Sequence, residues 1–245
     1  MTTVGVSLKM YFGHAAALDW FRAVAEVASA HPGVQSGDVE LFVIPSFTSI
    51  PAALDVFAGT PVIVGAQDLF WEDRGAFTGE VSGAELAELG VGVVEVGHAE
   101  RRRLFGETDE VVARKTTAAL RNGLAPVLCI GELTASTPDA AAAEVIAQLD
   151  SALEGAPDGR VIVAYEPVWA IGAAEPAGAP HISAVCAALR EHLDAAGRTG
   201  TVIYGGSAGP GLLTRLGGSV DGLFLGRFAH DTAALAAVLD EAAAA

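Results

Sequence analysis

Three observations in the sequence predict an eightfold β/α barrel. Eight short apolar runs recur along the chain: "TVGVSL", "ELFVI", "PVIVGA", "VGVVEVG", "APVLCI", "RVIVAY", "TVIY" and "GLFLG". Helix-like stretches rich in Ala and Leu separate them, and strand alternating with helix is the pattern of a parallel sheet. The runs are apolar continuously, not at every second residue, as strands covered on both faces require. Spreading the 245 residues over eight units gives about 31 each, near the ~250 residues of a closed barrel. A doubly wound open sheet is the alternative.

The helix-like stretches are read over residues 15–30, 82–89, 110–122, 139–154, 182–196 and 232–244. Local punctuation agrees with them. Ser82 followed by Glu85 reads as a capping box, and Asn122-Gly123 reads as a helix stop before the fifth run. No shift in composition marks a domain boundary, so residues 1–245 are read as one barrel. "IGAAEPAGAP" has the composition of a linker, but it lies between one strand and the next helix and reads as a mobile loop within the barrel. The Ala-rich "DAAAAEV" and "EAAAA" are helix formers with no implied chemistry.

Composition narrows the function classes. A hydrophobic content of 51% is enough for a sizeable core. Fourteen Lys and Arg against 30 Asp and Glu leave a formal charge of −16, which argues against a nucleic-acid or anionic-membrane surface. Cys129 and Cys186 sit in apolar stretches without CxxC spacing and read as buried thiols in a reducing cytoplasm. The opening "MTTVGVSLKM" lacks the charged start and long apolar core of a signal peptide, and no stretch reaches the ~20 apolar residues of a membrane helix. A cytoplasmic protein is expected.

Barrels of this kind carry their chemistry where strands end, at the C-terminal face, so polar residues directly after apolar runs are the candidates. The first run ends in Lys9, the fourth in "GHAERR" with His98 and Glu100, the sixth in Glu166 and the seventh in "YGGS" with Ser207. Each also has a plainer reading. Lys9 can lift its ammonium to water, His98 can be a satisfied core histidine, and Glu100 with Arg101, Arg102 and Arg103 can form a structural ion-pair network. The other histidines, at 14, 31, 181, 192 and 230, are read as core or exposed. "YGGSAGPG" and the turn at Gly226 are glycine-rich and follow the last two strands, where backbone N–H groups can cradle a phosphate. Such turns supply donors to an anion without a basic surface.

In order and spacing, "SLKM", "GAFTGEVSG", "VGHAERRRLFGETDE", "APVLCIGE", "AYEPVWAIG", "YGGS" and "DGLFLG" resemble the triosephosphate isomerase family over almost the whole chain. That family is itself the standard example of a glutamate base beside a neutral, electrophilic histidine under a closing lid. The resemblance implies that Glu166 moves a proton between adjacent carbons and His98 polarises the carbonyl. Lys9 stabilises negative charge on the substrate, and Glu100 matches a supporting acid. The candidate phosphate- and substrate-binding set is Ser7, Gly172, Ser207, Gly226 and Arg227, and the resemblance implies a small phosphorylated sugar as substrate and a place in carbohydrate metabolism. Neither a metal nor a cofactor is called for. "PVWAIG" resembles the lid, and "GAFTGE" resembles the loop that enters a partner subunit, so a homodimer is expected.

The sequence departs from the family pattern around the binding shell. Ser7 stands where the family has Asn, and Leu8 where it has Trp. The end of the lid, usually Gly-Thr-Gly-Lys, is "GAAE" from Gly172 to Glu175. After the eighth strand the family's two consecutive glycines are Gly226 and Arg227. An intact base and electrophile in an altered shell suggest the same proton transfer on another phosphate ester, and some relatives act on four-carbon erythrulose phosphates. Two rival classes remain. A catalytically silent phosphate-binding barrel would not need Lys9, His98 and Glu166 together, and a metal-dependent epimerase or aldolase would want more strand-end histidines than His98.

Overall fold

The computed structural model describes all 245 residues. Its eight strands are β1 Thr2–Ser7, β2 Val39–Ile44, β3 Ile63–Ala66, β4 Val93–Val96, β5 Ala125–Ile130, β6 Val161–Tyr165, β7 Gly200–Tyr204 and β8 Gly222–Leu225. Each is parallel to the next, and β8 pairs with β1 to close the barrel. Closure removes the open-sheet alternative. The continuous apolar runs follow from it, because both faces of every strand are buried. Phe42, Ile44, Val93, Val127, Ile162, Ile203 and Phe224 fill the interior, and a cluster of 59 buried residues packs the outer face of the sheet against the helices.

The helices are α1 His14–Ala30, α2 Pro32–Ser36, α3 Ile50–Phe57, α4 Gly83–Leu89, α5 Ala99–Phe105, α6 Asp109–Arg121, α7 Pro138–Leu153, α8 Ala179–Ala195, α9 Leu212–Leu216 and α10 Thr232–Ala244. Six match the stretches read from the sequence, and α2, α3, α5 and α9 were not read as helices. Two starts, read at residues 139 and 182, lie earlier and take in a proline. Pro138 opens α7 behind a Thr137 cap, and Pro180 lies in the first turn of α8, where a missing N–H costs nothing. Ser82 caps α4 by accepting from the N–H of Glu85, as the spacing predicted.

The first run was read through Leu8, but β1 ends at Ser7. The Leu8 N–H still donates to Ile44 O at 3.0 Å, and then Lys9 turns out of the strand at φ 47°. Lys9 and Ser207 (φ 51°) are the two non-glycine residues with positive φ. Both lie at the C-terminal rim, and a backbone state costing of order 1–3 kcal/mol is retained where the surroundings fix it.

Candidate active site

The rim assembles Lys9, His98, Glu100 and Glu166 from three separate strand ends. His98 precedes α5 and caps it, its Nδ1 accepting the Glu100 N–H at 3.1 Å. The ring proton of the neutral imidazole is therefore on Nε2. The Lys9 ammonium lies 3.2 Å from that Nε2 and donates to Glu100 Oε1 at 3.0 Å. Two donors thus converge on one point, a pattern that suits an oxygen carrying developing negative charge. Burial works against the Lys9 ammonium, but Glu166, Glu100 and Glu95 together outweigh it and hold its pKa above the ordinary lysine value. Burial also opposes the Glu100 carboxylate, yet the Lys9 hydrogen bond and charge leave its pKa below the usual range.

Glu166 follows β6, its N–H donating to Ile130 O at 2.8 Å. Its Oε2 is buried, accepts no hydrogen bond, and lies 3.6 Å from His98 Nε2, too far for a hydrogen bond. A buried carboxylate oxygen without a partner is rare in folded proteins and leaves a lone pair free to take a proton. Glycine makes room for it. A Cβ on Gly205, after β7, would stand 2.6 Å from Glu166 Oε1, and one on Gly131 would overlap the Glu166 carbonyl.

A cavity of about 1240 Å³ opens above these groups. Ser7, Lys9, Glu166, Gly172, Ser207, Gly226 and Arg227 all line it, with His98 buried just behind. The backbone N–H groups of Gly172, Ser207 and Gly226 make no hydrogen bond to the chain's own carbonyls, so the turns keep donors for an anion. The Ser207 hydroxyl, to which the sequence reading gave no role, shares its one hydrogen between Ala170 O and Ala173 O, each at 2.9 Å, and so ties the segment after Glu166 to the turn after β7. Arg227 is exposed at the rim, its guanidinium carbon 6.0 Å from the centre of the Tyr11 ring.

The segment after Glu166 is closed down over the site. Trp169 Nε1 donates to Glu132 Oε1 at 2.8 Å, and the Ala177 N–H donates to the Tyr204 hydroxyl at 3.0 Å. Glu132, fully buried after β5, also accepts from the Tyr165 hydroxyl at 3.1 Å, with His181 Nε2 at 3.3 Å. Sequence reasoning placed His181 in the core or at the surface and gave Glu132 no role. Glu95 was missed as well. It stands inside β4, 3% exposed, and its Oε2 is hydrogen-bonded to the Ser7 hydroxyl at 2.8 Å across the barrel. A lone carboxyl in "VGVVEVG" was its only signal.

Comparison with known proteins agrees with this geometry. The family model described as triosephosphate isomerase matches residues 2–242. An L-erythrulose-1-phosphate isomerase of Pectobacterium atrosepticum is 55% identical, over 98% of this chain and 95% of its own length. A triosephosphate isomerase of a Synechococcus species is 37% identical, over 95% and 93%. The crystal structure of triosephosphate isomerase from Bartonella henselae superposes with a TM-score of 0.81 at 26% identity, covering 98% of both chains. By sequence over nearly its whole length and by its closed barrel, the chain belongs to the triosephosphate isomerase family.

Proposed function

We propose that this aldose–ketose isomerase of small sugar phosphates works by enediol proton transfer at the site above, and that it prefers a four-carbon erythrulose phosphate to dihydroxyacetone phosphate. The observation that carries the mechanism is the buried, unpaired Oε2 of Glu166 beside the ring N–H of His98 and the Lys9 ammonium. Glu166 takes a proton from the carbon next to the carbonyl. The electrons of that C–H bond form a carbon–carbon double bond, and the carbonyl oxygen becomes an enediolate oxygen held by His98 Nε2–H and Lys9. The glutamic acid returns the proton to the adjacent carbon, a proton passes between the two oxygens, and the carbonyl moves one carbon along: dihydroxyacetone phosphate becomes an aldose, while erythrulose 1-phosphate, whose other neighbouring carbon carries the phosphate ester, becomes a second ketose. No electrons are gained or lost overall. The closed lid keeps water from the intermediate.

Two features of the cavity favour the longer substrate. Ser7 is a short side chain on its wall, and Arg227 brings a guanidinium to its rim in a protein of charge −16. The relative at 55% identity bears the name of an erythrulose phosphate isomerase. Wild type should show the higher kcat/KM on L-erythrulose 1-phosphate. Arg227→Gly should raise KM for it roughly 10-fold, as loss of a hydrogen bond to a charged group does. A wild type that strongly prefers dihydroxyacetone phosphate, or a variant with unchanged KM, refutes the four-carbon reading.

The same reading makes the protein a cytoplasmic homodimer. Between β3 and α4, Phe70 packs on Trp71 and Phe77 with ring centres 4.2 and 4.6 Å apart, while residues 74–80 are exposed and Phe77 is 42% exposed. An apolar-tipped projection of this kind is buried by a second copy. Sedimentation at micromolar concentration should give about 50 kDa, twice the 24.9 kDa chain. A mass of one chain rejects the dimer. Two buried free thiols, Cys129 and Cys186, suit a reducing compartment, and no helix is long and apolar enough to cross a membrane.

A further inference from the structure

Glu95 is a carboxyl that the mechanism above does not use. It points inward from β4, one layer below the rim, in register with Val127 of β5. Its Oε2 lies 2.8 Å from Ser7 Oγ, a hydrogen bond in which the carboxylate accepts or the carboxylic acid donates, and its Oε1 lies 3.9 Å from His98 Nε2. The groups facing it are Ser7 and Lys9 at the end of β1, His98 before α5, the Cys129 thiol of β5 and Glu166 after β6. Three carboxyls, Glu95, Glu100 and Glu166, therefore share one ammonium, Lys9. With Glu95 and Glu166 buried, such a cluster does not hold all three charges cheaply. Glu100 is half-exposed and paired with Lys9, and Glu166 must be free to accept a proton. Glu95 is the one left to carry a proton of its own.

We propose that Glu95 is a positioning residue of this isomerase: as a protonated carboxyl it gives its hydrogen to Ser7 Oγ, and so turns the Ser7 O–H into the cavity as a donor to a substrate oxygen. The two protonation states of Glu95 present opposite faces of the serine. A carboxylate would require Ser7 to donate to it, leaving only lone pairs for the substrate. A carboxylic acid donates to Ser7 and frees the serine hydrogen. Burial pushes the Glu95 carboxyl above the ordinary range and neighbouring Glu166 adds to this, against the pull of His98, the Ser7 hydrogen bond and Lys9. Ser7 lines the cavity, so the switch acts on the bound molecule. The inference rests on the reading of Glu166 as base and His98 as electrophile.

Kinetics of Glu95→Leu, Glu95→Gln, Ser7→Ala and Glu95→Leu/Ser7→Ala across the neutral and alkaline range, with Glu166→Gln alongside, test it. Glu95→Leu should raise KM roughly 10-fold at neutral pH, Ser7→Ala should match it, and the double variant should be no worse than either. Glu95→Gln, whose amide donates as the acid does, should recover most of the loss. Wild type should lose affinity as pH rises through the raised Glu95 pKa, whereas Glu95→Gln should lack that limb and keep any limb due to Lys9. A folded pKa above the unfolded one costs nothing below the unfolded carboxyl value, costs progressively more as pH rises above it and levels off once the folded pKa is passed, so the melting-temperature advantage of Glu95→Gln over wild type should be absent in acid and grow as pH rises.

Wild-type KM in Glu95→Leu, Glu95→Gln as impaired as Glu95→Leu, additive losses in the double variant, an alkaline limb retained by Glu95→Gln, or a stability gain that does not vary with pH would each overturn the proposal. Glu166→Gln separates the two readings. If it is inactive while the Glu95 variants behave as wild type, the positioning role alone fails. If it is active, the base assignment fails.

Discussion

Glu166→Gln should lower kcat by at least ~100-fold while leaving KM nearly unchanged. The amide keeps the volume of the side chain, so the fit against Gly205 is preserved, but it has no basic oxygen to take a carbon-bound proton. It also removes one of the carboxyls crowded around Lys9, so the folded state should be no less stable than wild type. Steady-state kinetics on the four-carbon ketose phosphate and on dihydroxyacetone phosphate, with a thermal melt of the same sample, check both statements. Near-normal turnover on either substrate would remove Glu166 from the role of base.

Lys115→Met should give the largest loss of stability. Lys115 is 3% exposed, and its ammonium donates to both oxygens of Asp68 at 2.6 and 2.7 Å and to Glu107 Oε1 at 2.5 Å. Arg101 reaches the same two carboxylates at 2.8 and 2.5 Å. Methionine fills the space but leaves two buried carboxylates to share one guanidinium, and breaking such a network typically costs about 3–5 kcal/mol. In a chain of this size each kcal/mol lowers Tm by about 2–4 °C. Arg101 belongs to α5, the helix that His98 caps, so kcat should fall along with Tm. A melting temperature equal to wild type would show the network to be without net effect.

The barrel was legible because its strands have no solvent face. Continuous apolar runs admit few other architectures, and a polar residue directly beyond such a run is conspicuous. Lys9, His98 and Glu166 were found in that way. Glu95 was not, because it lies inside a run, where only the alternation from Val93 shows that it points inward. Ser207 was picked out as part of its turn, but its hydroxyl was given no role, since its direction depends on a positive φ that a serine sequence does not announce. The short helices were hidden by their composition. α3 has proline in its first turn and only eight residues, and "AERRRLF" of α5 draws attention to its charges and away from its period.

The closed lid has a consequence for speed as distinct from chemistry. Its fastenings, Trp169 to Glu132, Ala177 to Tyr204 and the Ser207 hydroxyl to Ala170 and Ala173, join protein to protein and involve no group that reacts. If the segment opens to exchange product for substrate, each turnover undoes this clasp. The enzyme therefore carries a mechanical clock beside its chemical one, and when proton transfer is fast, the strength of the clasp sets the ceiling on turnover. Loosening it shortens the dwell of product but also the shelter of the enediolate, so these fastenings represent a compromise between release and protection that can shift without touching Glu166.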